Sequence, residues 1–235
     1  MKSLDVCLSP ELLHLFPIKD RSVVIADILR ATSCMVTAFA HGVKAIKPYA
    51  SLEGCRNSKQ PGIFIAGERN GLKVEGFDLG NSPFEYMAPE LKGTVIHMTT
   101  TNGTQAIEKS AGGSAIFIGS FLNLSALADV LIKENRDVLI VCAGWKGKVN
   151  LEDTLFAGAL AHLLSSHYNF ECDAPLIAEA VYLQAKNDLT EAVSQASHTR
   201  RLNRLNIFKD ISFCLTPDQY PVVPCLQNGY ITLPG

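Results

Sequence analysis

A cluster of hydroxyl-bearing residues follows the apolar run at positions 94–97. Residues 98–104 read M-T-T-T-N-G-T, which predicts a strand that ends in hydroxyls, turns and enters a helix. Free backbone N–H groups, O–H donors and the positive end of the helix dipole would then face one place. We therefore expect an anion, and phosphate above all, to bind at Thr100, Thr101, Asn102, Gly103 and Thr104.

An acidic residue interrupts the strongest apolar strand of the sequence. Asp27 lies inside V-V-I-A-D-I-L at positions 23–29, and a buried carboxylate is costly unless it is paired or binds a cation. Two interpretations stay open. Asp27 bonds to nearby backbone N–H groups or to Arg30, or it is a ligand of a hard cation or a catalytic carboxylate.

Charged residues follow two further strand patterns. Glu68 and Arg69 come directly after the apolar run 63–66, and Glu152 and Asp153 open a predicted helix. Adjacent carboxylates in a first helical turn are common because they complement the helix dipole. The same carboxylates could serve a site at the carboxyl edge of a parallel sheet.

The loop 76–83, G-F-D-L-G-N-S-P, offers oxygen atoms and flexible glycines. Asp78 and Asn81 supply oxygens, and Ser82 is placed to cap a short helix that begins with proline. An ordinary loop that turns and caps a helix would contain the same types of residue. Both a binding role and a structural role therefore stay open for this loop.

Oxygen donors without a Cys/His cluster favour Mg²⁺ over Zn²⁺. The histidines show no H-E-x-x-H spacing, and no G-x-x-x-x-G-K-[ST] phosphate loop occurs. Arg30 and Arg69 could clamp a phosphate. The basic cluster Arg200, Arg201 and Arg204 is either a solvated helix face or a contact for an anionic substrate. The carboxylates expected to share the edge of the sheet are Asp27, Glu68, Asp78, Glu152 and Asp153.

Composition excludes several classes of protein. The 235 residues carry a net charge of −2, which argues against a broad nucleic-acid surface. Seven cysteines without C-x-x-C suit free thiols in a reducing compartment. No signal-peptide pattern and no apolar run of about 20 residues occurs. We expect a cytoplasmic protein that binds neither nucleic acid nor membrane, and the sequence leaves a homodimer open.

Short apolar runs alternate with helical patterns over the first two-thirds of the chain. This alternation predicts an α/β fold with a largely parallel sheet and helices on both faces. We expect one catalytic unit over residues 1–235. Residues 166–235 would pack on the flank of the sheet or form a smaller lobe on it.

Several motifs together resemble those of the 2-phosphosulfolactate phosphatases (the ComB family). The resemblance covers nearly the whole chain and is most specific in the loop 76–83 and in T-T-N-G-T. The motifs are I-A-D-I-L-R-A-T-S (25–33), A-G-E-R-N-G (66–71), G-F-D-L-G-N-S-P (76–83), T-T-T-N-G-T (99–104), G-S-F-L-N (119–123), C-A-G (142–144), E-D (152–153), S-H-T-R-R-L (197–202) and K-D-I-S-F-C (209–214).

This resemblance implies an α/β, Mg²⁺-dependent phosphatase. The family's enzymes hydrolyse 2-phospho-3-sulfolactate to sulfolactate and phosphate, a step on the route to coenzyme M. The same site could instead serve another small phosphorylated hydroxy acid. A non-catalytic protein that binds a phosphorylated or sulfonated metabolite is the alternative from another class.

The hypothesis is metal-assisted hydrolysis of a phosphate monoester. Asp27 is the first candidate to act on the attacking water or to attack phosphorus itself. The remaining roles are distributed as follows: Asp27, Arg30, Glu68 and Arg69 are catalytic; Thr100, Thr101, Asn102, Gly103, Thr104, Asn81 and Ser82 bind substrate; and Asp27, Asp78, Glu152 and Asp153 hold Mg²⁺.

Overall fold

Eleven strands form one twisted sheet in the computed structural model, which describes residues 1–234. The strands are β1 (Lys2–Cys7), β2 (Ser22–Ala26), β3 (Ala45–Pro48), β4 (Ile63–Arg69), β5 (Leu72–Lys73), β6 (Val95–Thr99), β7 (Ala115–Gly119), β8 (Val138–Cys142), β9 (Tyr168–Phe170), β10 (Cys225–Gln227) and β11 (Tyr230–Thr232).

Nine α-helices connect these strands in the part of the chain that the structure describes. They are α1 (Ala31–Ala40), α2 (Leu52–Asn57), α3 (Gly103–Lys109), α4 (Leu124–Glu134), α5 (Leu151–Leu164), α6 (Asp173–Ala185), α7 (Leu189–Val193), α8 (Ser197–Asn203) and α9 (Phe208–Cys214). None of the helices described has both the length and the apolar character needed to cross a membrane.

The central strands are apolar on both faces because helices cover both. In β2, Val24 packs into the core that contains α4 and α5, whereas Val23 and Ile25 pack into the core that contains α1 and α3. The β-branched side chains of such strands fit a pleated, doubly covered surface. The predicted α/β class, with a largely parallel sheet and helices on both faces, is confirmed.

The sheet order is β5-β4-β6-β3-β11-β10-β7-β2-β8-β1-β9. Two parallel blocks, β4-β6-β3 and β7-β2-β8-β1-β9, flank the antiparallel hairpin β10–β11. The last two strands of the chain therefore lie in the middle of the sheet. Helix α6 packs on α5, so the described part of residues 166–235 shares the sheet and the core with the rest.

Two loops that follow strands distant in the order of the sheet meet. Four strands separate β6 from β2, yet a Cβ added to Gly103 would lie 2.8 Å from Oδ2 of Asp27. Glycine is required at 103 because any side chain would displace that carboxylate or the helix start. The loops after β2 and β6 therefore share one site.

Helix α5 is buried along most of its length between the sheet and α6. A Cβ on Gly158 would lie 2.0 Å from the carbonyl oxygen of Ala178, so the two helices touch backbone to backbone. This close packing fixes the first turn of α5, which carries Glu152 and Asp153.

Candidate active site

A narrow polar cleft lies beyond the carboxyl ends of β2, β4, β6 and β8, where open α/β sheets bind their ligands. Helix α8 covers it from the C-terminal part of the chain. The cleft is lined by Asp27, Leu29, Arg30, Glu68, Gly71, Asn81, Thr101, Asn102, Trp145, His198, Arg201 and Leu202. Carboxylates and arginines thus share one small space.

Asp27 stands one residue beyond β2 and is buried. Its Oδ1 accepts a hydrogen bond from the backbone N–H of Ala31 at 3.3 Å. Burial, with a smaller contribution from the nearby carboxylates Glu68 and Glu152, raises the pKa of Asp27 from 3.8 to about 6 against the opposing effects of His198 and the Ala31 N–H. Such a carboxyl can exchange a proton near neutral pH.

Glu68 organises the loop after β6. Its Oε1 accepts the backbone N–H of Gly71, and its Oε2 accepts the Thr101 hydroxyl at 3.2 Å and the Thr101 N–H at 3.4 Å. The Thr101 hydroxyl therefore already has an acceptor. Glu68 and Thr101 both reach the cleft, as predicted from their positions after strands, and Glu68 positions Thr101 within it.

Glu152 is fully buried at the first turn of α5. Its Oε1 lies 2.5 Å from Nδ1 of His198, on α8. Its Oε2 has no hydrogen-bond partner among the described residues. An unpartnered buried carboxylate oxygen is costly, so this oxygen suits a ligand that carries positive charge.

Asp153 has a different environment from its neighbour. Its Oδ1 accepts the N–H of Ile28 at 2.8 Å, and its Oδ2 accepts the N–H of Gly144 at 3.0 Å. Burial, followed by the charges of Asp27 and Glu152, holds the pKa of Asp153 well above its usual range. Asp153, predicted as a metal ligand, therefore joins the loops after β2 and β8. Asp153 does not line the cleft.

Arg30 lines the cleft, but its guanidinium is engaged. It donates through Nη1 to Oδ2 of Asp210 and through Nη2 to the carbonyl oxygen of Gly71 at 3.0 Å. Ser82, predicted to bind substrate, donates its hydroxyl to Oδ1 of Asp210 at 3.1 Å instead. Ser82 and Asp210 therefore fix the position of Arg30.

Arg69, predicted as a phosphate clamp, is directed along the sheet edge. Its Nη1 donates to the carbonyl oxygen of Glu68, and its Nη2 donates to the Thr99 hydroxyl at 3.0 Å. These bonds tie the end of β4 to the end of β6. The residue does not line the cleft that the other predicted residues form.

The predicted anion cradle is partly used for internal bonds. The N–H of Thr100 donates to the Thr104 hydroxyl, that hydroxyl donates to the Thr100 carbonyl, and the Thr104 N–H donates to the Thr100 hydroxyl. Thr100 and Thr104 are buried and hold the start of α3. Thr101 and Asn102 are the members of this segment that line the cleft, while Gly103 makes room for Asp27.

The two polar residues of the loop 76–83 separate. Asn81 lines the cleft, and its Oδ1 is buried without a partner in the described part of the chain. Asp78 instead bonds to the N–H of Ile65 and to Lys59, away from the cleft. The expectation that Asp78 joins the carboxylate cluster is corrected, because the backbone of β4 and a surface lysine engage both of its oxygens.

Sequence reasoning did not assign His198, Trp145 or Asp210 to the site, and it left the role of Arg201 open. All four residues contact the cleft or its arginine. The signal for Arg201 was the basic cluster at 200–204. Burial lowers the pKa of Arg201, while the charges of Glu68 and Glu152 oppose this effect. The guanidinium therefore lies within the field of the acidic residues.

The donor chemistry of the cleft bears on whether Mg²⁺ fits. Within residues 1–234, no three His, Cys, Asp or Glu side chains form a ready ligand set. Mg²⁺ usually binds through one or two carboxylates and completes its shell with water and phosphate oxygens. Glu152, whose Oε2 has no partner among the described residues, and Glu68 both act on the charge of Asp27, and this small set of carboxylates fits that mode.

Comparison with known proteins places the cleft in a family. The model of the 2-phosphosulpholactate phosphatase family matches residues 7–229. The chain belongs to this family. The match includes every residue that lines the cleft, so the family relationship covers the whole site.

Individual family members are similar over nearly their whole length. A protein of Caldanaerobacter subterraneus subsp. tengcongensis is 42% identical over 221 residues, 91% of each chain. One of Thermotoga maritima is 42% identical over 217 residues, 92% of this chain and 94% of its own. One of Clostridium tetani is 34% identical over 233 residues, 97% of this chain and 99% of its own. Each is named a probable 2-phosphosulfolactate phosphatase.

Proposed function

We propose that this protein is a Mg²⁺-dependent phosphatase that hydrolyses 2-phospho-3-sulfolactate to sulfolactate and phosphate. This is a reaction of the coenzyme M biosynthesis type. The relatives of this chain carry that substrate in their names. One observation carries the proposal: Asp27 and Glu68 share the cleft with two arginines, and His198, which also lines it, pairs with the buried Glu152, whose Oε2 has no partner among the described residues.

Glu152, together with Asp27 or Glu68, would hold the Mg²⁺ ion. The bound ion supplies positive charge that offsets the negative charge of the phosphoryl oxygens. The protein contributes the position of each carboxylate. Gly103 leaves room for Asp27, the Gly71 N–H and Thr101 orient Glu68, and His198 orients Glu152.

Donors around the cleft would orient the phosphoryl group. Asn102 borders the cleft from the loop after β6, and Arg30 borders it with a guanidinium fixed by Asp210. Thr101 lines the cleft as well, but its N–H and its hydroxyl both donate to Glu68. Donors that are already oriented lose little freedom when the ester binds, so they stabilise the charge of the transition state effectively.

Asp27 would either activate the attacking water or act as the nucleophile itself. Its Oδ1 is held by Ala31, which leaves Oδ2 to accept a proton from the attacking water or to attack phosphorus. In the first case the water gives a proton to Asp27 as its oxygen bonds to phosphorus, the ester P–O bond breaks, and the leaving sulfolactate oxygen takes up a proton from solvent. In the second case the same ester bond breaks as the carboxylate of Asp27 forms an acyl phosphate, which water then hydrolyses to phosphate and the free carboxylate. The pKa of about 6 suits proton acceptance near neutral pH.

Release of inorganic phosphate from a panel of esters tests the proposal. The panel contains 2-phospho-3-sulfolactate, phospholactate and phosphoglycolate, each assayed with Mg²⁺ and with EDTA. We expect Mg²⁺-dependent turnover with a preference for the sulfonated ester of at least about 10-fold in kcat/KM. A preference for another ester would refute the substrate, and binding without turnover under either condition would refute the enzyme.

A further inference from the structure

One indole ring at the edge of the cleft carries two cations. The guanidinium carbon of Arg201 lies 4.5 Å from the ring centroid of Trp145, and Nζ of Lys146 lies 4.9 Å from the same centroid. Trp145 belongs to a tight turn after β8, closed by mutual backbone hydrogen bonds between Trp145 and Lys148. An aromatic face attracts a guanidinium and holds its plane.

Arg201 differs from the other arginine of the cleft. Arg30 bonds to Asp210 and to the Gly71 carbonyl. Arg201, across residues 1–234, has no carboxylate within salt-bridge distance and no hydrogen-bond acceptor, and its Nε is shielded from water. A guanidinium that is oriented by stacking but has unused N–H donors is arranged to receive an oxyanion.

The cleft also has a deep end and an outer end. Asp27 and Glu152 are buried, whereas Trp145 and Arg201 are half-buried and Lys146 is exposed. If phosphate lies beside the buried carboxylates, as in the proposed function on which this step rests, the other end of the ester meets the outer end. A second anion there would meet cationic side chains.

We propose that Arg201 binds the second anionic group of the substrate, the sulfonate or carboxylate of a small phosphate ester. Trp145 is its positioning residue, and Lys146 adds positive charge at the rim. A guanidinium is more weakly hydrated than an ammonium, which suits it to a weakly basic anion such as a sulfonate. Arg201 therefore determines which phosphate esters the site accepts.

Trp145 itself reports on this contact, because it is the single tryptophan of the sequence. Full-length protein in Mg²⁺ buffer is titrated with 3-sulfolactate and, separately, with inorganic phosphate, and the emission of Trp145 is followed. We expect a saturable change with 3-sulfolactate. Arg201→Gln should weaken its Kd by at least about 10-fold, the value of a lost charge-assisted hydrogen bond, and should change the phosphate Kd by less than about 3-fold.

Arg200→Gln is the matched control. It removes the same charge from the adjacent, exposed position of α8, and both Kd values should stay unchanged. An equal loss of phosphate affinity in Arg201→Gln would make Arg201 a phosphate clamp and overturn the proposal. An unchanged 3-sulfolactate Kd, or no 3-sulfolactate binding to the wild-type protein, would overturn it as well.

Calorimetric titration of Trp145 variants tests the positioning role. Trp145→Phe keeps an aromatic face and should hold the 3-sulfolactate Kd within about 3-fold, whereas Trp145→Leu should approach Arg201→Gln. Wild-type affinity in Trp145→Leu would overturn the positioning role. These titrations measure binding of a ligand that is not hydrolysed. If the proposed hydrolysis failed, they would still show whether Arg201 binds the anion.

Discussion

The two arginines of the cleft are held in opposite ways. Arg30 follows β2 and is fixed by Asp210, Ser82 and a backbone carbonyl. Arg201 lies on α8 with its guanidinium over the face of Trp145, and within residues 1–234 its guanidinium has no carboxylate at salt-bridge distance. An ion pair fixes an arginine and neutralises it, whereas stacking fixes it and leaves its donors free. Arg30 is therefore held in one position by its partners, whereas we propose that Arg201 recognises the charge of a ligand.

The acidic residues show the same contrast. Asp153 accepts hydrogen bonds from two backbone N–H groups, while Oε2 of its neighbour Glu152 has no hydrogen-bond partner within residues 1–234. Two carboxylates in one helical turn thus have different functions. One joins loops, and the other is available to a ligand.

The largest effect is expected from Glu152→Gln, which removes the free charged oxygen. Phosphate release should fall by about 100-fold or more, and a higher Mg²⁺ concentration should be needed for half-maximal activity. Steady-state assays across a Mg²⁺ series measure both. Glu179→Gln is the control, because Glu179 forms a similar pair with the more exposed His162. Near-normal turnover in Glu152→Gln would remove the residue from the site.

Breaking the Arg30–Asp210 pair should cost stability. Asp210→Asn leaves a buried guanidinium without its partner, and we expect a loss of about 3 kcal/mol in the free energy of unfolding by urea. Lys59→Gln, which breaks the more exposed pair with Asp78, should change it by less than about 1 kcal/mol. Equal effects would show that Asp210 does not act as a buried anchor.

The ionisation of Asp27 should make stability depend on pH. Its folded pKa of about 6 exceeds the ordinary 3.8, so its contribution is greatest below about 3.8 and is lost as pH rises through about 6. The full loss is about 3 kcal/mol. Metal-free Asp27→Asn should therefore exceed the wild-type protein in urea midpoint at about pH 8 and match it at about pH 4. A pH-independent difference would contradict the raised pKa.

The smallest effect is expected from Ser82→Ala. This variant removes one hydrogen bond to Asp210, so stability should fall by about 1 kcal/mol. Its kcat/KM should stay within about 3-fold of wild type. A much larger fall in kcat/KM would indicate direct substrate contact, the role predicted from the sequence.

Positions at strand ends were readable from the sequence, whereas the directions of side chains were not. Asp27 and Thr101 reach the cleft because each follows a buried parallel strand, and Glu68 reaches it from the end of one. Asp78 and Arg69 also follow strand patterns, but backbone partners engage them elsewhere. The local spacing of residues does not show which of several hydrogen-bond partners a charged side chain will reach.

The cover of the cleft was beyond sequence reasoning for a different reason. His198 and Arg201 both lie on the short helix α8, about 50 residues after Glu152 and Trp145, which they contact. The sequence pattern of so short a helix does not show which of its faces is buried. The basic cluster at 200–204 hinted at an anion contact. Only the fold shows that Arg201, and not the exposed Arg200, stacks on Trp145.

The most direct test of the proposed active site compares Asp27 and Asp78, two aspartates that were both predicted from the sequence to hold Mg²⁺. Phosphate release from 2-phospho-3-sulfolactate with Mg²⁺ is measured for wild type, Asp27→Asn and Asp78→Asn. The structure places Asp27 in the cleft and Asp78 away from it. We expect a loss of at least about 100-fold for Asp27→Asn and less than about 3-fold for Asp78→Asn. Near-normal turnover in a folded, Mg²⁺-binding Asp27→Asn variant would contradict the account.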